Sequence, residues 1–394
     1  MRYAPVTDRL KGLGSAKWEI HAKARRLKAA GESIIELTIG EPDVPTPEPL
    51  MEAVTQSMRL GRTGYSNGRG EPALLDALAA RYSERRGRPF ARENIICLPG
   101  TQTSLYAVLM TLVASGDEVI VGNPMYATYE GLIAATGAVA VPVPLRPERG
   151  FRLDAADIAG AITPRTRIIF LNSPHNPTGA ILTRDDITAI GALAQRHDLW
   201  ILCDEVYEDL VFANRQFISP LSLPELADRV VVTSSISKSH SAPGFRSGWC
   251  VGPAEFTERL LPLSETMLFG SQPFIADMTA AAVSTPSPVA AGMCERFERR
   301  AGLIAAHLHG FEGLRVHRPD AGMFALVDVR ATGLSGRDFA LSLLEREKVA
   351  VMPGESFGSA LSGWLRLALT QPDDTITEAC GRIAAHARRL KEAA

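Results

Sequence analysis

The apolar positions of the chain gather into short unbroken runs rather than alternating ones. Asn94-Ile95-Ile96-Cys97-Leu98, Glu118-Val119-Ile120-Val121-Gly122, Arg167-Ile168-Ile169-Phe170-Leu171, Leu199-Trp200-Ile201-Leu202-Cys203 and Val230-Val231-Val232-Thr233 are of this kind. Each leads into a polar cluster: Pro99-Gly100-Thr101-Gln102, Asn123-Pro124, Asn172-Ser173-Pro174, Asp204-Glu205 and Ser234-Ser235. Helical stretches lie between them, among them Thr103 to Ala114 and Asp185 to Gln195, the second behind Thr183 as N-cap. Such runs are strands buried on both faces, and their alternation with helices predicts an α/β domain with a mostly parallel sheet, over 46–285. Ligands of open parallel sheets sit at the carboxyl ends of the strands. The polar clusters occupy those ends, so one site assembled from several loops is expected.

Pro286-Ser287-Pro288 breaks the pattern. After it come a long helix, Val289 to His309, strand candidates Met323 to Val327 and Trp364 to Leu369, and a terminal helix from Asp374 to Glu392. This reads as a smaller α+β domain. Residues 1–45 are loop and helix, free by pattern to pack on either unit.

Composition narrows the function classes. The 394 residues carry 42 Lys plus Arg against 44 Asp plus Glu, a net charge of −2, and are 46% hydrophobic. That excludes a disordered chain and a nucleic-acid binder working by bulk charge, and the length excludes a disulfide-stapled mini-protein. The basic clusters Lys23 to Arg26 and Arg296 to Arg300 read as wet helix faces. The five scattered cysteines, Cys97, Cys203, Cys250, Cys294 and Cys380, read as free thiols of a reducing cytosol. The first residues show no signal-peptide pattern, and no apolar run nears the roughly 18 residues of a membrane span. A cytoplasmic protein with no membrane or nucleic-acid partner is expected.

Two motifs mislead. Gly68-Arg69-Gly70-Glu71-Pro72-Ala73 fits the dinucleotide fingerprint, but loop residues precede it where that fingerprint needs a strand, so it reads as a turn before a helix. His307 and His309 lie two apart, facing opposite ways on a helix, and no metal is expected.

The chemistry concentrates elsewhere. In Ser235-Ile236-Ser237-Lys238 and the following Gly244-Phe245-Arg246-Ser247-Gly248, two cations stand among small residues that let a ligand approach. A guanidinium there grips a phosphate bidentately, and a pocketed lysine beside it is a candidate Schiff-base nucleophile. Asp204, ending a very apolar strand, is a costly buried carboxylate unless it is paired. It is either one half of an ion pair or the partner of a protonated pyridine nitrogen. Asn176 lies in a proline-fixed loop, and Pro99-Gly100-Thr101-Gln102 opens a helix whose free N–H groups attract anions.

With these pieces in view, the sequence resembles the class I/II aminotransferases, fold type I enzymes that use pyridoxal 5′-phosphate. The resemblance runs from Leu37-Thr38-Ile39-Gly40-Glu41-Pro42-Asp43 to Trp364-Leu365-Arg366-Leu367, through S-x-S-K with G-x-R-x-G, and N-P-T-G followed by D-E-x-Y. It implies a seven-stranded sheet covered by helices in the large domain, and a small domain built from 1–45 and 286–394. It implies that Lys238 is the catalytic lysine, that Asp204 holds the pyridinium, and that Asn176 and Tyr207 bond the ring's phenolic oxygen. Gly100, Thr101, Ser235 and Arg246 would take the phosphate with Gln102 adjacent, and Tyr126 would stack on the ring. Arg366 and Gly40 would receive the substrate carboxylate. Tyr65 would reach the phosphate of a neighbouring subunit, which implies a homodimer with shared sites.

Within the family, Met1-Arg2-Tyr3, Trp18 to His21, Asn172 to Pro177, Ser237 to His240 and Gly322-Met323-Phe324 resemble the bacterial arginine–pyruvate aminotransferases. A cationic donor would want an acidic pocket wall, for which Glu19 and Glu41 are the candidates. Threonine at 101, where one aspartate aminotransferase subgroup has lysine, weakens a dicarboxylate reading. Aspartate or aromatic transamination and C–S β-lysis on the same fold are the alternatives; a dehydrogenase lacks its fingerprint, and a winged-helix regulator lacks room before residue 40.

Overall fold

The structure, a computed structural model, describes residues 1–392. Its strands, in chain order, begin with β1 (Ile35–Leu37), β2 (Ile95–Leu98), β3 (Glu118–Asn123), β4 (Val139–Pro144), β5 (Thr166–Asn172) and β6 (Trp200–Asp204). They continue with β7 (Val230–Ser235), β8 (Gly248–Val251), β9 (Arg315–His317), β10 (Phe324–Asp328), β11 (Val349–Pro353) and β12 (Trp364–Ala368). A seven-stranded sheet runs β2-β8-β7-β6-β5-β3-β4 and a five-stranded one β1-β11-β12-β10-β9. In the larger sheet β4, β3, β5, β6 and β7 pair in parallel, and β8 is antiparallel to both its neighbours.

Alternate residues of each large-sheet strand enter separate cores. Cys97, Ile120, Ile169, Ile201 and Val230 pack with the helices Pro72–Arg86, Arg184–Arg196 and Pro273–Val283. Their neighbours Ile96, Val119, Ile168, Leu202 and Val231 pack with Gly100–Leu112, Tyr129–Thr136 and Ala254–Leu268. Both faces are apolar because both are covered, which is why the runs do not alternate. The five runs read from sequence all form strands. β4 escapes the pattern because it is a half-exposed edge carrying two prolines, and β8 because four residues beginning with glycine make no run.

The smaller sheet takes strands from both chain ends. β1 pairs in parallel with β11, Ile35 opposite Val349, while β10 lies antiparallel between β9 and β12. The helix Pro5–Arg9 lies instead on the larger unit, where Arg9 Nε donates to Ala134 O at 2.8 Å. At the break before Ala290–Leu308, Ser287 Oγ accepts from the amides of Val289 and Ala290 and donates to Ser239 O at 2.5 Å. Thr183 caps its helix as expected, accepting from Asp186 N at 3.1 Å. The Gly68–Gly70 segment is a turn: Asn67 Oδ1 accepts from the amides of Arg69 and Gly70. No helix among the described residues is long and apolar enough to cross a membrane.

Two expectations need correction. His307 is exposed in its helix, whereas His309 caps the end, its Nδ1 accepting from Val316 N at 3.1 Å. The basic cluster 296–300 is only partly a wet face. Arg296 binds both oxygens of Asp43 at 2.8 Å, and buried Arg300 reaches Asp43 at 2.7 Å, Asp373 at 2.9 Å and Leu369 O at 2.9 Å. Arginines read as solvated instead tie the 37–43 segment to the terminal helix.

A second cluster lies behind β6. Glu205 points away from Asp204, is fully buried, and accepts from Arg86 Nη2 at 3.0 Å and Ser219 Oγ at 2.6 Å. Arg86 also holds Glu208, while Arg81 and Arg85 each hold Asp209 at 2.7 Å. Burial drives the Glu205 carboxyl upward; at Glu208 burial is outweighed by the three arginines and the carboxyl is held low. Arg86→Leu strands these carboxylates, and a loss of about 3–5 kcal/mol in unfolding free energy is expected. A denaturant midpoint unchanged from the parent protein would contradict this account.

Candidate functional site

A cavity of about 230 Å³ opens where the carboxyl ends of β5, β6 and β7 face the smaller sheet. The loop after β5 brings Asn172 and Asn176, that after β6 brings Asp204 and Tyr207, and the turn after β7 brings Ser235 and Lys238. Thr101 and Gln102 enter from the helix after β2, Tyr126 from the segment after β3, and Arg246 from the turn before β8. Gly40, Phe324 and Arg366 come from the other unit.

Lys238 Nζ donates to Gly40 O at 2.6 Å, a contact between the two units. Burial, helped by Arg366 and Arg246 and opposed by Glu41 and Asp204, lowers the amine to about 8. Asp204 is buried; Tyr129 OH donates to its Oδ2 at 2.8 Å and Val206 N to its Oδ1 at 3.1 Å. Burial raises this carboxyl to about 6 against those two donors and Lys238, so it is mostly ionised at neutral pH. The ion pair with an arginine allowed by sequence is absent: among the described residues no cation bridges Asp204, and its acidic neighbour Glu205 takes Arg86.

Asn172 positions the neighbouring loop. It donates to Asp204 O at 3.0 Å and to Pro174 O at 3.1 Å, and accepts from Asn176 N at 2.8 Å. Asn176 Nδ2 is then 3.5 Å from the Tyr207 hydroxyl, and its Oδ1 accepts from Arg366 Nη1 at 3.2 Å. Arg366 Nη2 donates to Thr38 O at 2.6 Å. Its guanidinium lies between the faces of Phe324 and Phe357, 3.8 and 4.4 Å from the ring centroids. Burial brings it down to about 10, still cationic at neutral pH, and its Nε is buried with no partner.

The other end of the cavity suits a phosphate. The helix Gly100–Leu112 starts there with unpaired amides. Thr101 Oγ1 is buried without a partner, and Ser235 lies opposite. Arg246 has a φ of 51°, and this left-handed turn sends its guanidinium back to Pro243 O at 2.9 Å and against Gly100. A Cβ on Gly100 would collide with that guanidinium, and one on Gly248 would press on the Gly100 backbone at 2.6 Å. Unsatisfied donors, a backbone cradle, a depressed amine and a buried carboxylate together match the donor set pyridoxal 5′-phosphate requires.

Of the residues expected from sequence, Gly40, Thr101, Gln102, Tyr126, Asn176, Asp204, Tyr207, Ser235, Lys238, Arg246 and Arg366 line this one cavity, with Gly100 behind it. Tyr65 does not: it is 90% exposed, edge-on to Phe269 at 5.1 Å, in a separate cleft. Glu19 does not line it either: it lies in a separate cleft, where Arg337 takes both its oxygens at 2.9 to 3.0 Å. Glu41 lines an adjoining cleft with His21, Arg25, Lys28 and Glu36. Sequence reasoning missed Tyr129, Asn172, Trp18 and the two phenylalanines around Arg366. Asn172 and Phe324 stood in the motif stretches, but nothing local marks Tyr129, whose partner is 75 residues away.

Comparison with known proteins agrees. Residues 32–383 match the family model described as aminotransferase class I and II. The chain is 45% identical to the arginine–pyruvate transaminase AruH of Pseudomonas aeruginosa over 99% of both chains. It is 33% identical to an aspartate aminotransferase of Streptomyces avermitilis, covering 94% of this chain and 93% of that one. Among solved structures, the Thermus thermophilus aspartate aminotransferase with maleate has a TM-score of 0.91 at 30% identity, over 98% of this chain and 100% of the other. An aromatic aminotransferase of Pyrococcus horikoshii has a TM-score of 0.86 at 28% identity, over 94% and 99%. The chain thus belongs to the class I and II aminotransferases, and is a fold type I transaminase that depends on pyridoxal 5′-phosphate.

Proposed function

We propose that this enzyme moves the amino group of L-arginine, or of another non-dicarboxylic L-amino acid, to a 2-oxo acid such as pyruvate or 2-oxoglutarate. The observation that carries the substrate is the full-length likeness to the Pseudomonas aeruginosa arginine–pyruvate transaminase. The roles follow from the cavity. Arg246, Ser235, Thr101 and the first amides of Gly100–Leu112 hold the coenzyme phosphate, and Asp204 keeps the ring nitrogen protonated. Tyr126 covers the ring face, while Asn176 and Tyr207 bond its phenolic oxygen. Bound there, the coenzyme supplies an electron sink for the pair left at the substrate α-carbon. Lys238 would hold the coenzyme, and its amine would serve as the base that takes and holds the substrate's α-proton. Arg366 grips the α-carboxylate and fixes which bond at the α-carbon stands next to Lys238.

On this reading the units divide at 46–285 against 1–45 with 286–394, save that the helix Pro5–Arg9 packs on the larger unit, and the enzyme works in the cytoplasm as a homodimer in which exposed Tyr65 completes the partner's phosphate site. One observation favours a second donor class. The lining not given to the coenzyme includes Trp18, Ile39, Leu105 and Phe324, and among the described residues Asp204 is the one carboxylate of the whole cavity. That wall suits an aromatic or aliphatic side chain as well as the stem of arginine.

Lys238→Ala is expected to lose the visible absorbance of covalently held coenzyme and at least about 10²-fold in turnover; a retained band would remove Lys238 from its role. In the parent protein, reloading of coenzyme onto apo-enzyme should quicken as pH rises through about 8, since only the neutral amine reacts. Arg366→Leu is expected to raise KM for donor and acceptor alike by about 10- to 100-fold, the worth of a charged hydrogen-bonded pair. A donor screen against pyruvate and 2-oxoglutarate decides the substrate: activity with aspartate or aromatic amino acids and none with L-arginine ends the arginine reading. Pyruvate and ammonia released without an acceptor would identify a β-lyase instead.

A further inference from the structure

We propose that Tyr129 is a positioning residue for the coenzyme, acting through Asp204 by fixing the orientation of its carboxylate and keeping it ionised. This rests on the reading above that Asp204 partners the ring nitrogen. Both side chains are buried, and the hydroxyl donates to Oδ2 at 2.8 Å. With Val206 N on Oδ1, each carboxylate oxygen has one donor from the protein and keeps lone-pair capacity toward the cavity. The two donors come from different elements, the helix Tyr129–Thr136 and the loop after β6, so the carboxylate cannot turn without breaking one of them.

Tyr129 is itself held rigidly. Its ring lies 4.4 Å from that of Phe170 and stands edge-on to Tyr126 at 5.6 Å, so the same phenol braces the residue that covers the coenzyme ring. Among the described residues no other side chain donates to Asp204. The titratable groups near Asp204 are Lys238 from the turn after β7, Tyr126 and Tyr129 from the segment after β3, and Cys203 and Tyr207 from its own strand and loop, with Glu205 turned to the other side and felt only through space. Lys238 acts on it only through space, and once it carries the coenzyme it is no longer a free ammonium. Burial pushes Asp204 up, so removing the phenol raises the carboxyl further. A carboxylic acid that has kept its proton no longer stabilises a pyridinium as a counter-charge.

Tyr129→Phe retains the ring and its packing. Coenzyme affinity is read by titrating apo-protein with pyridoxal 5′-phosphate across pH, and Asp204 ionisation by the carboxylic C=O infrared band of the apo-protein. The variant is expected to bind coenzyme about tenfold more weakly. Both the acid-side fall in affinity and the infrared midpoint should move up by about one pH unit. In an Asp204→Asn background the same substitution should add nothing. Unchanged affinity and midpoints, or an equal loss in the Asn background, would overturn the role of Tyr129. If Asp204→Asn alone binds coenzyme normally, the Asp204 assignment fails as well, whereas a weakened Asp204→Asn beside a normal Tyr129→Phe refutes only the present inference.

Discussion

The structure depends on keeping charge in a place that water barely reaches. Asp204 and Arg366 are buried and Lys238 is half-buried around one cavity, where a charge is costly to desolvate. Among the described residues none is neutralised by a close ion pair in the manner of a structural salt bridge. They are held by directed dipoles instead: a phenol and an amide at Asp204, the Gly40 carbonyl at Lys238, the Thr38 carbonyl and two aromatic faces at Arg366. Such partners hold a charge in place without consuming it, so it stays available to a ligand that brings the complement.

The scaffold follows from that requirement. The strands that deliver Asn172, Asp204 and Ser235 each run from an apolar stretch into polar residues at the carboxyl end, so burying the runs brings those polar ends to the same edge. The true ion clusters lie just outside the cavity. Arg86 with Glu205 and Glu208 anchors the back of the loop that presents Asp204 and Tyr207. Asp43 with Arg296 and Arg300 anchors the segment that presents Gly40. Rigidity of the site is thus borrowed from salt bridges that never touch a ligand, consistent with the need to hold catalytic groups to within a fraction of an ångström.

Much of the large sheet was legible because burial on both faces writes itself into unbroken apolar runs. The motif residues were legible because glycine, proline and small residues crowd wherever backbone must meet a ligand. Tyr129 was not, since a tyrosine at a helix start is equally at home in a core, and only its bond to Asp204 distinguishes it. The arginines at 296 and 300 were misjudged for a related reason: charge on a helix says nothing of which chain segment will arrive opposite. Glu19 shows the reverse case, an acid close in sequence to the pocket residue Trp18 yet committed to Arg337 on the outside.

By itself the sequence determined the layered α/β architecture, the edge at which a ligand binds, and the cations and carboxylate available there. These follow from local pattern, because hydrophobic periodicity and turn chemistry are properties of neighbouring residues. The tertiary structure decided which charges face the cavity and which are spent elsewhere, that β1 joins β11 across more than 300 residues, and that Tyr129 reaches Asp204. Those outcomes depend on long-range packing, where a contact is set by how two elements meet and not by the composition of either one.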